Sequence, residues 1–305
     1  MFKGLSKLLI CGGYAPDINT CEVINLASSS SICKNPPNFP ANFSGAFGGL
    51  GFKGNPILCG GVQDDIRSNK CFSLENEWVS SDSMHSVRLY TAAAQLQDGK
   101  LLVTGGFDGS GSSLNSAEML TEEGWESNIP SLPVTIAYHC MVTVNSTTVM
   151  AIGGYQNDLI SGKTFYFTIG GESWTKGPEL KDKRAAHSCG NIRRNKESQD
   201  MSIIVAAGYA ESRFSSVEIL DEGSDEWQTG PELPFGIIDS QMVEDQNGGV
   251  VLIGGESQSV SNLDTLYQLP HGGQDAVWTN MEQKMQTGRR QHTAFLVPDN
   301  SVDCS

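Results

Sequence analysis

A chain of 305 residues holds one large all-β domain or two ordinary ones, and its 34 glycines and scarce helix-forming runs favour many short strands joined by turns. A formal net charge of −15 and a pI near 4.7 set it against phosphate backbones and anionic surfaces, and its 20 Lys and Arg are too scattered for the basic stripe of a nucleic-acid binder. No apolar run approaches the roughly 20 residues that span a bilayer, so neither nucleic acid nor membrane insertion is expected.

The first element is the apolar run Leu8-Leu9-Ile10-Cys11, closed by Gly12-Gly13. It returns ahead of Gly60-Gly61, Gly105-Gly106, Gly153-Gly154, Ala207-Gly208 and Gly254-Gly255, at intervals of roughly 45–54 residues. A short apolar run that ends on paired glycines reads as a buried strand, stopped by residues that tolerate positive φ or close backbone approach. Because the first run belongs to the repeat, it is not read as a leader; a secreted form would carry its leader outside this sequence.

After each glycine pair come a polar loop and a short β-prone run, at 21–24, 71–74, 117–120, 164–167, 217–220 and 265–268. A tryptophan follows in all but the first repeat: Trp78, Trp125, Trp174, Trp227 and Trp278. A proline-containing or polar connection then leads to another strand, as at 89–96, 137–144 and 186–192, before the next glycine pair. Each repeat thus has four strands, A to D, with the glycine pair closing B.

In these diglycine sites and the aromatic residue beyond each, the chain resembles the kelch-repeat family over essentially its whole length. The resemblance implies an all-β fold: a single domain, 1–305, forming a six-bladed β-propeller of four-stranded antiparallel blades around a channel. Ala207 in place of a glycine and the missing first tryptophan are departures within single blades. The N-terminus enters at strand B and the C-terminus supplies a lone strand A at 290–297. The ring is therefore expected to close by joining that strand A to the N-terminal strands B–D, which leaves no exposed edge there. The B–C and D–A loops then share one face, and the longer B–C loops make it the face to search for a binding site.

Cys11 and Cys59 hold the same place before the diglycine, and Cys21 and Cys71 the same place on strand C. Cys11–Cys21 and Cys59–Cys71 are therefore expected as cross-strand disulfides, with buried free thiols as the alternative. Cys33–Cys304 would clasp the C-terminal tail, and Cys140 and Cys189, on strands A of neighbouring blades, make a fourth pair. Disulfides point to an oxidising, extracellular setting, as do the sequons at Asn42 and Asn145; a cytoplasmic protein rich in thiols is the alternative.

His139, His187 and His292 open strands A and are expected near the channel mouth. A three-histidine metal site is set against their being repeat residues satisfied by neighbouring blades, and no metal is expected. The ligand-binding candidates are Arg88, Arg184 and Arg290 at D–A loop ends, Arg213 in a B–C loop, and Tyr90, Tyr138, Tyr155 and Tyr209. Arg67, Arg289, Tyr14, Phe107 and Phe214 lie nearby, with the acids Asp17, Asp64, Asp65, Asp108, Asp158 and Glu211. Arginine captures carboxylates in two-pronged fashion, and mixed aromatics and charge suit a peptide or glycan. Any one of these residues taken alone reads more readily as a solvated loop side chain than as a binding residue.

Some kelch propellers are copper oxidases similar to galactose oxidase, with seven blades, added domains and a tyrosine–cysteine cofactor; six blades are read here and no such ligand set. Others resemble sialic-acid mutarotases, for which Arg184, Arg290 and Glu256 are the charged residues at hand, although no spacing singles them out. An intracellular substrate adaptor would need a BTB-like partner domain, and this sequence contains none. With no nucleophile triad or phosphate-cradling loop, no catalytic residue and no cofactor are expected. The expectation is a non-catalytic, secreted propeller that recognises a protein or glycan through its B–C and D–A loops; the alternatives are a carbohydrate-active enzyme at the channel mouth, mutarotase-like or copper-oxidase-like, and an intracellular kelch substrate adaptor.

Overall fold

The computed structural model describes residues 5–14, 18–28, 33–195, 197–299 and 301. Among the described residues there is no helix, and the strands form eight small antiparallel sheets. Sheet 1 joins Lys7–Cys11 and Cys21–Asn25 to the last strand of the chain, Thr293–Val297. Sheet 2 contains Phe47–Leu50, Pro56–Cys59, Cys71–Leu74 and Trp78–Ser81. Sheet 3 contains Ala92–Gln95, Leu101–Thr104, Ala117–Thr121 and Gly124–Ile129. Sheet 4 contains Cys140–Thr143, Thr148–Ile152, Thr164–Thr168 and Thr175–Lys176. Sheet 5 contains Ser188–Arg193, Met201–Ala206, Val217–Leu220 and Gln228–Thr229. Sheet 6 contains Gln241–Glu244, Val250–Ile253, Thr265–Leu269 and Thr279–Lys284. Two three-stranded ribbons, one built on Val62–Gln63 and Ile66–Arg67 and the other on Tyr155–Gln156 and Leu159–Ile160, extend the loops of sheets 2 and 4.

The first strand of each sheet adjoins the first strand of the next, and Thr293–Val297 lies between Gln241–Glu244 and Phe47–Leu50. The result is a β-propeller, with the sheets standing side by side rather than stacked. The second strand of each sheet is buried on both faces, which is why the sequence there is an unbroken apolar run instead of an alternating one. Leu9 and Cys11 pack toward sheet 2, whereas Leu8 and Ile10 pack toward sheet 6. The fourth strands are the outermost and are mostly exposed and polar, as at Thr175–Lys176 and Gln228–Thr229.

The glycine pairs join neighbouring sheets. The second residue of each pair donates its N–H to a carbonyl in a D–A connector: Gly13 to Phe43, Gly61 to Arg88, Gly106 to Ile136, Gly154 to Arg184, Gly208 to Ile237 and Gly255 to Arg289, at 2.8–2.9 Å. The chain must run close to that connector, and a Cβ on Gly105 would sit 2.2 Å from the Ile136 oxygen. Ala207 adopts the same left-handed conformation, at φ +67°, with a side chain attached. Each tryptophan lies between its own sheet and the preceding one. Its Nε1 donates to a connector carbonyl (Pro37, Asp82, Pro130, Pro178 or Pro231) at 2.8–3.0 Å.

Odd and even sheets differ at one shared pair of positions. Arg289–Glu22, Arg88–Glu118 and Arg184–Glu218 form buried ion pairs at 2.6, 3.1 and 2.9 Å in sheets 1, 3 and 5. Each arginine also donates to a carbonyl of the diglycine site, that of Gly12, Gly105 or Ala207. In sheets 2, 4 and 6 the corresponding residues are apolar or aromatic: Phe43 with Phe72, Ile136 with Phe165 and Ile237 with Tyr267.

Three of the expected disulfides are present. Cys11–Cys21 and Cys59–Cys71 are directly opposed strand partners with Cα atoms 4.1 Å apart, and Cys140–Cys189 links the first strands of sheets 4 and 5 at 6.0 Å. Cys304, of the expected Cys33–Cys304 bridge, and Asp17 lie outside the described residues. Sheet 1 has three strands among the described residues, with 29–32 outside them. No described helix is long and apolar enough to cross a membrane.

Candidate functional site: the channel mouth

Just before each first strand, one residue per sheet takes a left-handed conformation: Gly45, Tyr90, Tyr138, Ala186, Asp239 and Gln291, with φ between +51° and +61°. The N–H of each bonds to the carbonyl of the one before, and Gly45 bonds to Gln291, which closes a cycle of six hydrogen bonds at 2.9–3.1 Å. Five of these residues are not glycine, and holding such backbone costs of order 1–3 kcal/mol each, a cost met here by the mutual hydrogen bonds. All six line the throat of the channel. Tyr90 lies over Gly45, stacks on Tyr138 with centroids 4.2 Å apart, and donates its hydroxyl to Gln291 at 3.1 Å. Gln291 in turn donates to Asp239 at 2.9 Å.

A second set of side chains, immediately after the glycine pairs, stands above the first. It comprises Tyr14, Val62, Phe107, Tyr155, Tyr209 and Glu256. On one side the two sets form an aromatic arc: Phe107 and Tyr155 each approach Tyr138 at 5.9 Å, and the hydroxyls of Tyr155 and Tyr209 are 2.6 Å apart. On the other side is a charged arc. Arg213 and Arg290 both bind Glu256, and the Arg290 guanidinium lies 4.8 Å from the Tyr14 ring centroid. With Asp239 included, two guanidiniums face two carboxyls, so the arc is close to neutral while offering donors and acceptors in turn. The Nε atoms of Arg213 and Arg290 have no protein partner.

The throat beneath has a volume of about 80 Å³, lined by Tyr90, Tyr138, Asp239 and Gln291 with His139, His187 and His292. Ligand pockets are typically about 300–1,000 Å³. The throat therefore takes one small group, and anything larger must rest on the rim. Burial raises the Asp239 pKa, against the lowering effect of Gln291, Arg290 and Arg213. Burial also raises the pKa of Tyr90, Tyr138 and Tyr209, so all three remain neutral donors. The arrangement can stack a ring face against tyrosine and exchange hydrogen bonds with hydroxyl or amide groups along one edge.

Of the residues singled out in the sequence, Tyr90, Tyr138, Tyr155, Tyr209, Arg213 and Arg290 meet at this mouth. Arg88 and Arg184 do not: both are 0% exposed and are consumed by Glu118, Glu218 and backbone carbonyls, so neither can reach a ligand. Arg289 is held in the same way by Glu22. The histidines are likewise buried. His139 bonds Thr104 at 2.8 Å, while the ring of His187 packs over Gly153 and that of His292 over Gly254. Desolvation holds all three at a pKa of about 3, and nearby arginines add to the effect. Among the described residues no cluster of His, Cys, Asp or Glu is placed to hold a metal ion. Arg67 donates to the Asp108 and Gly109 carbonyls and braces one loop against the next. Asn42 and Asn145 are exposed; Asn42 adjoins the hairpin of Asp64 on the mouth face, and Asn145 occupies a turn between first and second strands, on the opposite face.

Asp239 and Gln291 were not legible as site residues. The signal that marks them is positional: each stands two residues after the connector residue that receives the glycine hydrogen bond, as Tyr90 and Tyr138 do.

No protein-family model matches the chain, and no curated protein matches it either. A solved structure of YjhT is similar, with a TM-score of 0.73 at 14% sequence identity, over 91% of this chain and 97% of that one. At that identity the likeness is one of fold, and the fold shared is the propeller.

Proposed function

We propose that this chain is a six-bladed, kelch-type propeller, a single domain over 1–305, that acts without catalysis as an extracellular recognition module for a protein or glycan. The pairing of Lys7–Cys11 with Thr293–Val297 and the six-membered hydrogen-bond cycle support six blades in a closed ring. The repeated glycine pairs and tryptophans support the kelch reading. Three disulfides and exposed sequons at Asn42 and Asn145 support an oxidising compartment and glycosylation.

The observation that carries the binding role is the divided mouth, an aromatic arc through Tyr138, Tyr155 and Tyr209 facing a charge-balanced arc through Arg213, Glu256 and Arg290. A throat of about 80 Å³ is too small to enclose a substrate, which favours recognition at a rim over chemistry in a pocket. The test is retention by the immobilised chain of probes on a glycan array and of proteins from extracellular fluid, compared with a Tyr155→Ala/Arg213→Ala variant. Binding by the parent that the variant loses while keeping its thermal stability supports the role. Equal retention by both contradicts it.

A further inference from the structure

At five junctions between successive sheets a tryptophan fills the gap, and at four of them it shares a core with three residues of the preceding sheet at matching register positions. Trp78 shares its core with Leu9, Val23 and Val297, and Trp278 shares its own with Ile192, Ile204 and Ile219. The junction between sheets 6 and 1 has no tryptophan, because repeat 1 carries none. Strand register identifies the matching positions there. Cys11 pairs with Thr293 as Ile253 pairs with Gln241, so Val297 corresponds to Asp245 and Leu9 to Val251. Leu9 faces Val23 as Val251 faces Gln268. These same three residues, Asp245, Val251 and Gln268, line a cavity of about 270 Å³, together with Leu26 and Met281.

The slot is chemically distinct from the filled ones. Two of its three platform residues are polar, and Gln268 Nε2 donates to Asp245 Oδ2 at 2.8 Å. Asp245 Oδ1 accepts the N–H groups of Asn247 and Gly249. No Lys, Arg or His is among the described residues lining it. Val251, Leu26 and Met281 supply apolar walls, and a thioether packs well against an aromatic ring.

We propose that this slot is a binding site for a small planar heteroaromatic molecule, about the size of an indole, that carries an amine. Flatness is set by the space between two packed sheets, the same space that holds a flat indole at five other junctions. The amine preference is set by Asp245, whose negative charge favours a cationic substituent and repels a carboxylate on the same ring. The slot lies outside the mouth and does not depend on what the mouth binds.

The test uses the full-length chain with three probes, tryptamine, indole and indole-3-acetate, read by calorimetric titration and thermal shift. Tryptamine is expected to bind saturably, to raise the melting temperature, and to bind at least about tenfold more tightly than indole-3-acetate, a ratio equal to about 1.4 kcal/mol. Leu26→Trp should fill the cavity and abolish binding. Should that variant fail to fold, Asp245→Asn is the second arm, and it should erase the preference for tryptamine. Absence of saturable tryptamine binding at millimolar concentration overturns the proposal. So does equal affinity for indole-3-acetate, or a preference that survives Asp245→Asn.

Discussion

Arg289 donates to Glu22 at 2.6 Å although the two are 267 residues apart in sequence, and neither side chain is more than marginally exposed. The pair ties the connector before the last strand to the sheet built by the first strands. Two more pairs of the same construction sit in sheets 3 and 5, while sheets 2, 4 and 6 manage with apolar partners. One protein thus holds both solutions to a single packing problem.

Removing one partner of a buried pair strands the other charge, so Glu22→Ala should cost about 3–5 kcal/mol in denaturant unfolding. The double variant Arg289→Ile/Glu22→Tyr copies Ile237 and Tyr267 of sheet 6 and should recover most of that loss. Recovery near zero would mean that the pair does more than fill space.

Ala207 is the one diglycine position occupied by a residue with a side chain, and it is held at φ +67°. Ala207→Gly should stabilise the protein by about 1 kcal/mol, seen as a higher denaturation midpoint. Gly105→Ala should do the reverse and by more, because the new Cβ meets the Ile136 oxygen at 2.2 Å.

His139, His187 and His292 are neutral in the folded protein, with pKa values lowered to about 3 by burial. The unfolded chain takes up their protons near pH 6.5, so stability should fall as pH drops from about 6.5 toward 3. Each histidine adds at most about 1.4 kcal/mol per pH unit. Asp239 and Glu244, whose pKa is raised, act in the opposite sense as pH falls toward the carboxylate range. Urea midpoints measured between pH 7.5 and 5 should show the decline, and His292→Gln should flatten it. A midpoint independent of pH across that interval would contradict the burial of these rings.

Cys140–Cys189 closes a sequence separation of 49 residues and Cys11–Cys21 one of 10. On chain-entropy grounds, replacing the first pair with alanines should cost roughly 1 kcal/mol more than replacing the second. Thermal unfolding of the two double variants checks the order, and mass analysis of unreduced native protein checks that the bonds form.

The propeller was legible because its elements repeat. Apolar runs, glycine pairs and tryptophans recur at matching offsets, and Cys11, Cys21, Cys59 and Cys71 could be paired once strands B and C were known to be neighbours. The site was legible only in part. Tyr155 and Tyr209 follow glycine pairs and could be placed, whereas Arg88 and Arg184 carry the charge of a ligand-binding residue and the environment of a core residue. Exposure is not written in residue type: Arg88 and Arg290 belong to equivalent connectors, but one lies two residues before the left-handed residue and points inward, and the other lies one before it and points to the mouth.

Ligand held at the divided mouth should shield the backbone amides that line it. Hydrogen exchange of the chain, with and without whichever array probe or extracellular protein it retains, tests this most directly. Slowed exchange at the amides of Tyr14, Phe107, Tyr138, Tyr209 and Glu256, with none at the turn around Asn145, is the predicted result. Protection confined to the Asn145 face, with the mouth amides unchanged, would contradict it.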